Sequence, residues 1–143
     1  MVPLDERFTL ALHGGARAWR LALERRLKAR GLTGAGWSAV SAIAACAQPP
    51  SQRELARQLG VDGATLVSTI DRLAANGLVE RQQDAHDRRV KQVVLTVKGR
   101  ALADEVQGQE AALRRLLLAR LDSGQVEVAA GVLEALQQLL EAA

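Results

Sequence analysis

The stretch LVERQQDAHDRRVKQVVLTVKG, residues 78–99, decides the fold. Two apolar strand-like runs, Leu78-Val79 and Val93-Val94-Leu95, flank a polar turn whose tip carries Asp87, Arg88, Arg89 and Lys91. The pattern reads as a short hairpin that offers paired arginines to solvent, a shape and charge suited to a DNA groove.

Upstream, residues 51–77 read as two short helices joined by a tight turn. Ser51 and Glu54 have the spacing of a capping box, Leu55, Ala56 and Leu59 make an inner face, and Gly60 can take the left-handed conformation that ends a helix. Asp62 then caps a second helix, with Leu66, Ile70 and Leu73 on one face and Thr65, Ser68, Thr69 and Arg72 on others, until Asn76-Gly77 stops it. A short helix, a glycine-containing turn and a helix that opens with small polar residues form the helix-turn-helix pattern. In that pattern the first turns of the second helix lie against base edges.

Further outward the chain is helical. Phe8, Leu12, Gly15, Trp19, Leu23 and Leu27 form one apolar stripe of a helix over about Asp5–Lys28, for which Gly31 supplies a stop. Thr33 can cap a second helix through about Ala47, with Trp37, Val40 and Ala44 turned inward, and Pro49-Pro50 forbids its continuation. Beyond the hairpin, Thr96 can cap a helix through about Leu121 whose apolar line is Leu102, Val106, Leu113, Leu116 and Leu117. After the Ser123-Gly124 break, Val126, Ala129, Leu133, Leu136 and Leu140 make a heptad-like seam that Val132 and Leu139 widen. The winged module cannot cover so much apolar surface, so a homodimer joined through both chain ends is expected. The fold class is therefore mainly α with a small β-hairpin wing. It is one domain over 1–143, with a winged helix-turn-helix at 34–99 and dimerisation helices at 5–30 and 100–143.

Composition agrees with one folded unit: 143 residues, 48% hydrophobic and 24% charged. The net charge is only +3, but residues 1–50 and 51–100 carry +4 and +3 while residues 101–143 carry −4. A phosphate-facing surface should thus avoid the last helix. The start MVPLDERF lacks the cationic and apolar segments of a signal peptide and no apolar run suffices for a membrane span, so a cytoplasmic location is expected. With one cysteine, Cys46, and two histidines, His13 and His86, neither a disulfide nor a zinc cluster is expected, and no cofactor is required. Cys46, near the end of the second helix among alanines, reads as a buried inert thiol. An enzyme is not indicated: there is no nucleophile with an adjacent base, and GAGW at 34–37 lacks the strand a phosphate loop needs.

The order of these elements, together with LGVDGATLVSTIDRLAANGLVERQQDAHDRRVKQVVLTVKGR at 59–100, closely resembles the MarR family of bacterial transcription regulators. Asp87-x-Arg89 followed by Leu95-Thr96-x-x-Gly99 carries most of the resemblance. AWRLALERRLKARGLTGAGW, residues 18–37, is most similar to the SlyA branch, whose members bind DNA as dimers and are released by small aromatic carboxylates such as salicylate. The resemblance implies that Arg89 enters the minor groove and that Asp87 braces the wing through a salt bridge to Arg72. Arg88 and Lys91 would contact phosphate, Gly63, Ala64, Thr65, Ser68 and Thr69 would face the major groove, and Ser51, Gln52 and Arg53 would lie near the DNA backbone. Ser68 stands where SlyA-like proteins often have an arginine able to read guanine in bidentate fashion.

The same resemblance implies an effector pocket lined by Arg17, Trp19, Arg20, Trp37 and Ser41, the last in place of a frequent histidine. An arginine fork holds a carboxylate and indole faces can sandwich an aromatic ring. On spacing alone Trp19 and Trp37 serve equally as core residues, and Arg17 and Arg20 as a solvated face. The expected function is a double-stranded DNA-binding repressor released by a small aromatic carboxylate. The alternative is a winged-helix module for protein contacts without a ligand response, because a winged fold does not dictate function.

Overall fold

The computed structural model describes residues 1–29 and 36–143. Among them run α1 (Leu4–Ala29), α2 (Gly36–Ala45), α3 (Gln52–Leu59), α4 (Gly63–Ala75), β1 (Val79–Gln83), β2 (Lys91–Leu95), α5 (Val97–Leu118) and α6 (Ser123–Glu141). Six helices and one antiparallel hairpin make the winged helix-turn-helix expected from the sequence. Gly31 and Thr33, read as a helix stop and a helix cap, lie outside the described residues. The chain divides into two compact units, Met1–Gln109 and Glu110–Ala143.

The first unit holds the winged module. Each of its short helices starts and stops for a local reason. Ser51 Oγ accepts the Glu54 N–H at 3.1 Å while the Ser51 N–H donates to the Glu54 carboxylate at 3.4 Å, completing the capping box. Gly60, at φ 66°, ends α3, and the Val61 N–H reaches back to the Ala56 carbonyl at 3.0 Å. Gly77, at φ 75°, turns the chain from α4 into β1 as the Leu78 N–H bonds the Leu73 carbonyl at 2.9 Å.

Periodicity determines what these elements bury. Ala39, Val40 and Ile43 of α2, Leu55 and Ala56 of α3, Leu66, Ile70 and Leu73 of α4, Val79 of β1, Val93 of β2 and Ala103 of α5 form one buried cluster. Trp37 and Ala44, expected to face inward, are half-buried, and Ala44 packs against this cluster. Two helices end earlier than the sequence suggested, at Ala45 rather than Ala47 and at Leu118 rather than Leu121. The strands are longer, since Arg81 to Gln83 pair with Lys91 to Val93 as a polar continuation of the apolar runs. Register places Val79 opposite Leu95 and Arg81 opposite Val93, so Arg81 shares the core side of the hairpin with Val79.

Thr96 joins the hairpin to α5. Its hydroxyl accepts the Gly99 N–H at 3.0 Å as a cap and donates to the Gly77 carbonyl at 2.6 Å, while its N–H donates to the Leu78 carbonyl at 3.1 Å. A β-carbon at position 99 would collide with that Leu78 carbonyl oxygen, so only glycine allows this approach. Within the second unit, Asp122 caps α6 by accepting the Gln125 N–H at 2.9 Å. No residue of α6 is buried, and Leu133, Leu139 and Leu140 are all exposed.

Candidate nucleic-acid interface

The exposed surface of the winged module begins at the turn between α3 and α4. Asp62 caps α4 by accepting the Thr65 N–H at 2.7 Å and the Thr65 hydroxyl at 3.1 Å. The backbone bond, then the hydroxyl bond, hold its carboxyl below the usual carboxylate range. Gly63, Ala64, Thr65 and Ser68 are exposed, and Thr69 is half-buried with its hydroxyl donated to the Thr65 carbonyl at 3.0 Å. Thr65 and Thr69 therefore use their protons internally, whereas Ser68 makes no side-chain hydrogen bond among the described residues. Small side chains at this helix start permit close approach to a groove floor.

The wing is shaped by Asp84. One of its carboxylate oxygens accepts the His86 N–H at 2.7 Å and the Asp87 N–H at 3.3 Å, and the other accepts Gln92 Nε2 at 3.1 Å. This closes the loop and aims Arg88, Arg89 and Lys91 into solvent. The Asp87 carboxylate accepts Arg89 Nε at 3.2 Å, Arg89 Nη2 at 3.3 Å and the Arg89 N–H at 3.0 Å. The Arg89 side chain, then its N–H, keep the Asp87 carboxyl below the usual range. Arg89 is nonetheless 91% exposed, so the fork is oriented but most of its donors stay available.

The brace expected between Asp87 and Arg72 is not formed. Arg72 is exposed and makes no ion pair among the described residues, because Asp87 is satisfied two residues away by Arg89. Helix α4 instead meets the wing through Asp71 and Arg81, at 2.6 Å. Arg72 lies about 100° further round the helix than Asp71, off the face that meets β1. Arg81 and Asp71 were not singled out in the sequence. The available signal was an arginine in phase with Val79 on the inward side of the strand, where a permanent charge needs partners.

An open cleft of about 710 Å³ lies between the start of α3 and the wing. Arg53, Arg57, Arg89 and Lys91 line it against Glu54 and Asp87, both already hydrogen-bonded, so its field favours an anion. Ser51 and Gln52 line it too, but the Ser51 hydroxyl is used in the cap and the Gln52 carbonyl accepts Arg81 Nε at 2.6 Å. Away from this surface, the Arg20 guanidinium lies 5.6 Å from the Trp37 ring centre and bonds Glu24 at 3.3 Å. Trp37 and Ser41 are half-buried one turn apart on α2, Trp19 is half-buried and Arg17 exposed. Of the five residues expected to line an effector pocket, Arg20 and Trp37 are thus in direct contact.

Elsewhere the thiol of Cys46 donates to the Ala42 carbonyl at 3.2 Å and is half-buried rather than buried. Among the described residues no group of acidic, histidine or cysteine side chains is placed to hold a metal ion, and no helix is long and apolar enough to cross a membrane.

Comparison with known proteins places this architecture. A model of the MarR family matches residues 30–90. The crystal structure of the transcriptional regulator PA3341 is similar with a TM-score of 0.85 at 37% identity, covering 95% of this chain and 99% of that one. The apo form of MarR from E. coli gives a TM-score of 0.77 at 26% identity, covering 95% and 98%. CouR from Rhodococcus jostii RHA1, solved bound to p-coumaroyl-CoA, gives 0.73 at 27%, covering 93% and 92%.

Proposed function

Since this chain belongs to the MarR family of transcriptional regulators, whose members are not enzymes, we propose that it is a homodimeric repressor of double-stranded DNA released by a small aromatic carboxylate. The observation that carries the DNA reading is the hairpin tip, where Arg89 is oriented by Asp87 yet 91% exposed. A guanidinium already ordered loses less entropy on entering a narrow minor groove, whose potential attracts it. Arg88 and Lys91 reach phosphate beside it, and Gly63, Ala64, Thr65, Ser68 and Thr69 face the major groove. The cleft between α3 and the wing accommodates the DNA backbone near Ser51, Gln52 and Arg53. Residues 34–99 thus carry recognition, and 5–30 with 100–143 hold two copies together, so that paired modules meet half-sites one helical turn apart.

CouR binds p-coumaroyl-CoA, a ligand with an aromatic acyl group, which supports an aromatic effector here. The contact of Arg20 with Trp37 supplies a cation and a ring face, the two features an aromatic carboxylate requires. Such a ligand acts by tilting the winged modules off their half-sites, and by linkage DNA then weakens the ligand equally.

A gel-shift titration at fixed salt tests the DNA reading. Arg88→Ala with Arg89→Ala is expected to abolish binding to a genomic duplex while the dimer persists, and undiminished binding would refute the wing's role. Failure of the unaltered protein to bind any duplex in a genomic fragment library would leave a protein-contact module instead. Salicylate is expected to quench Trp fluorescence and to lower DNA affinity, with Arg20→Ala weakening both. Quenching without loss of DNA affinity would argue against an inducer.

A further inference from the structure

Arg81 is the one arginine on the core side of the hairpin, opposite fully buried Val93. Its side chain is only 26% exposed and ties three elements together. Nε donates to Gln52 Oε1 at 2.6 Å on the first turn of α3, and Nη2 donates to Asp71 Oδ1 at 2.6 Å and to the Val67 carbonyl at 3.4 Å on successive turns of α4. A guanidinium is planar and permanently charged, so these bonds restrict direction as well as distance.

A directional tie is needed at this point. A two-stranded hairpin is marginally stable alone, and its link to α4 is Gly77 at φ 75°. The apolar contacts of Val79 and Val93 hold the hairpin down but are non-directional. The bond from the Val93 N–H to the Pro50 carbonyl at 2.9 Å anchors β2 to the start of α3, not to α4. Besides the Leu78 N–H to Leu73 carbonyl bond that closes the end of α4, the described hydrogen bonds from the body of α4 to the hairpin are those of Arg81, to Asp71 and Val67.

We propose that Arg81 is a positioning residue for DNA: its fork sets the angle between α4 and the wing, so that base contacts by α4 and insertion of Arg89 occur at one fixed separation. The proposal rests on the reading of α4 and the wing tip as DNA-contacting. With its Nη2 on Asp71 and its Nε on Gln52, Arg81 has no role as a phosphate ligand in it.

The test uses full-length protein and a duplex recovered by selection from a genomic fragment library, with affinity measured by fluorescence anisotropy over a salt series. Arg81→Gln is expected to weaken binding by at least about five-fold. Arg81→Lys, which keeps the charge but not the fork, is expected to do the same, and wild-type affinity in it would overturn the geometric argument. In the Arg89→Ala background, which keeps Arg88 and is titrated at low salt, adding Arg81→Gln is expected to change affinity by less than about two-fold and to leave the salt slope unaltered. A further loss accompanied by a slope reduced by about 0.9 would make Arg81 a direct phosphate contact and overturn the proposal.

Asp71→Ala, which removes both the charge and the acceptor, supplies the decisive sign should Arg81→Gln unfold. Removing an acid near DNA tightens binding if only charge matters, whereas loss of the Arg81 anchor weakens it. Tighter or unchanged binding by a folded Asp71→Ala protein therefore refutes the positioning role. If Arg88→Ala/Arg89→Ala itself leaves affinity intact, the wing reading has failed, an outcome distinct from failure of Arg81.

Discussion

In the proposed role, Arg89 must be held before it meets DNA and still be free to donate when it does. Asp87 accepts only some of its donors and leaves the fork 91% exposed, which meets both demands. Because the folded Asp87 carboxyl titrates below the usual range, its pairing is fully present above the ordinary carboxylate pKa and is lost only as pH falls through the depressed value. Carboxyl NMR is expected to show Asp87 ionised through the ordinary carboxylate range and protonating only below it. Arg89→Ala is expected to raise that midpoint toward the ordinary value, and an unmoved midpoint would contradict the pairing. Ser68 presents the opposite case, a short exposed side chain that makes no hydrogen bond among the described residues. Ser68→Arg is expected to tighten binding by about 1–3 kcal/mol on sites with guanine opposite it, and to steepen the salt slope, in an anisotropy titration.

At the level of elements, the junction between α4, the hairpin and α5 depends on a missing β-carbon. Gly99→Ala forces the Leu78 carbonyl away from Thr96, whose N–H it accepts at 3.1 Å. The expected cost is about 1–3 kcal/mol in urea unfolding, with Lys98 losing its 3.0 Å bond to the Asn76 carbonyl as the junction opens. An unaltered midpoint would mean that the junction yields without strain. The Thr96 cap was legible in sequence because a cap and its N–H lie three residues apart, as were the Ser51–Glu54 box and the Gly60 stop. Those signals are local, so one sequence contains all of each. The second bond of Thr96, to Gly77 nineteen residues back, and the partners of Arg81 depend on register and crossing angle, which no short window holds. The Asp87 brace shows the same limit from the other side. The acid is the expected one, yet its partner is the neighbour Arg89 rather than the distant Arg72.

For the whole molecule the unsettled quantity is apolar area. On α6, Val128 is 69% exposed, Leu139 72% and Leu140 68%; on α1, Leu4 is 72% exposed and Leu10 61%. The upper half of the α1 stripe follows this pattern, since Phe8 is exposed whereas Leu23 and Leu27 are buried. Stripes that repeat at helical spacing and remain uncovered within their own units call for a partner surface, and a second copy supplies the same stripes by symmetry. Covering one leucine contributes about 1.5–3 kcal/mol, so charges placed in the seam are expected to dissociate the dimer rather than unfold the winged module. Sedimentation of Leu133→Glu/Leu140→Glu is expected to give a monomer at micromolar concentration. Its helical content should be nearly unchanged, because neither side chain is buried in the single chain. The same protein is expected to bind a full operator no more tightly than a half-site, since two wings no longer act as one ligand. A persistent dimer, or full-operator affinity kept by a monomer, would remove α6 from the interface.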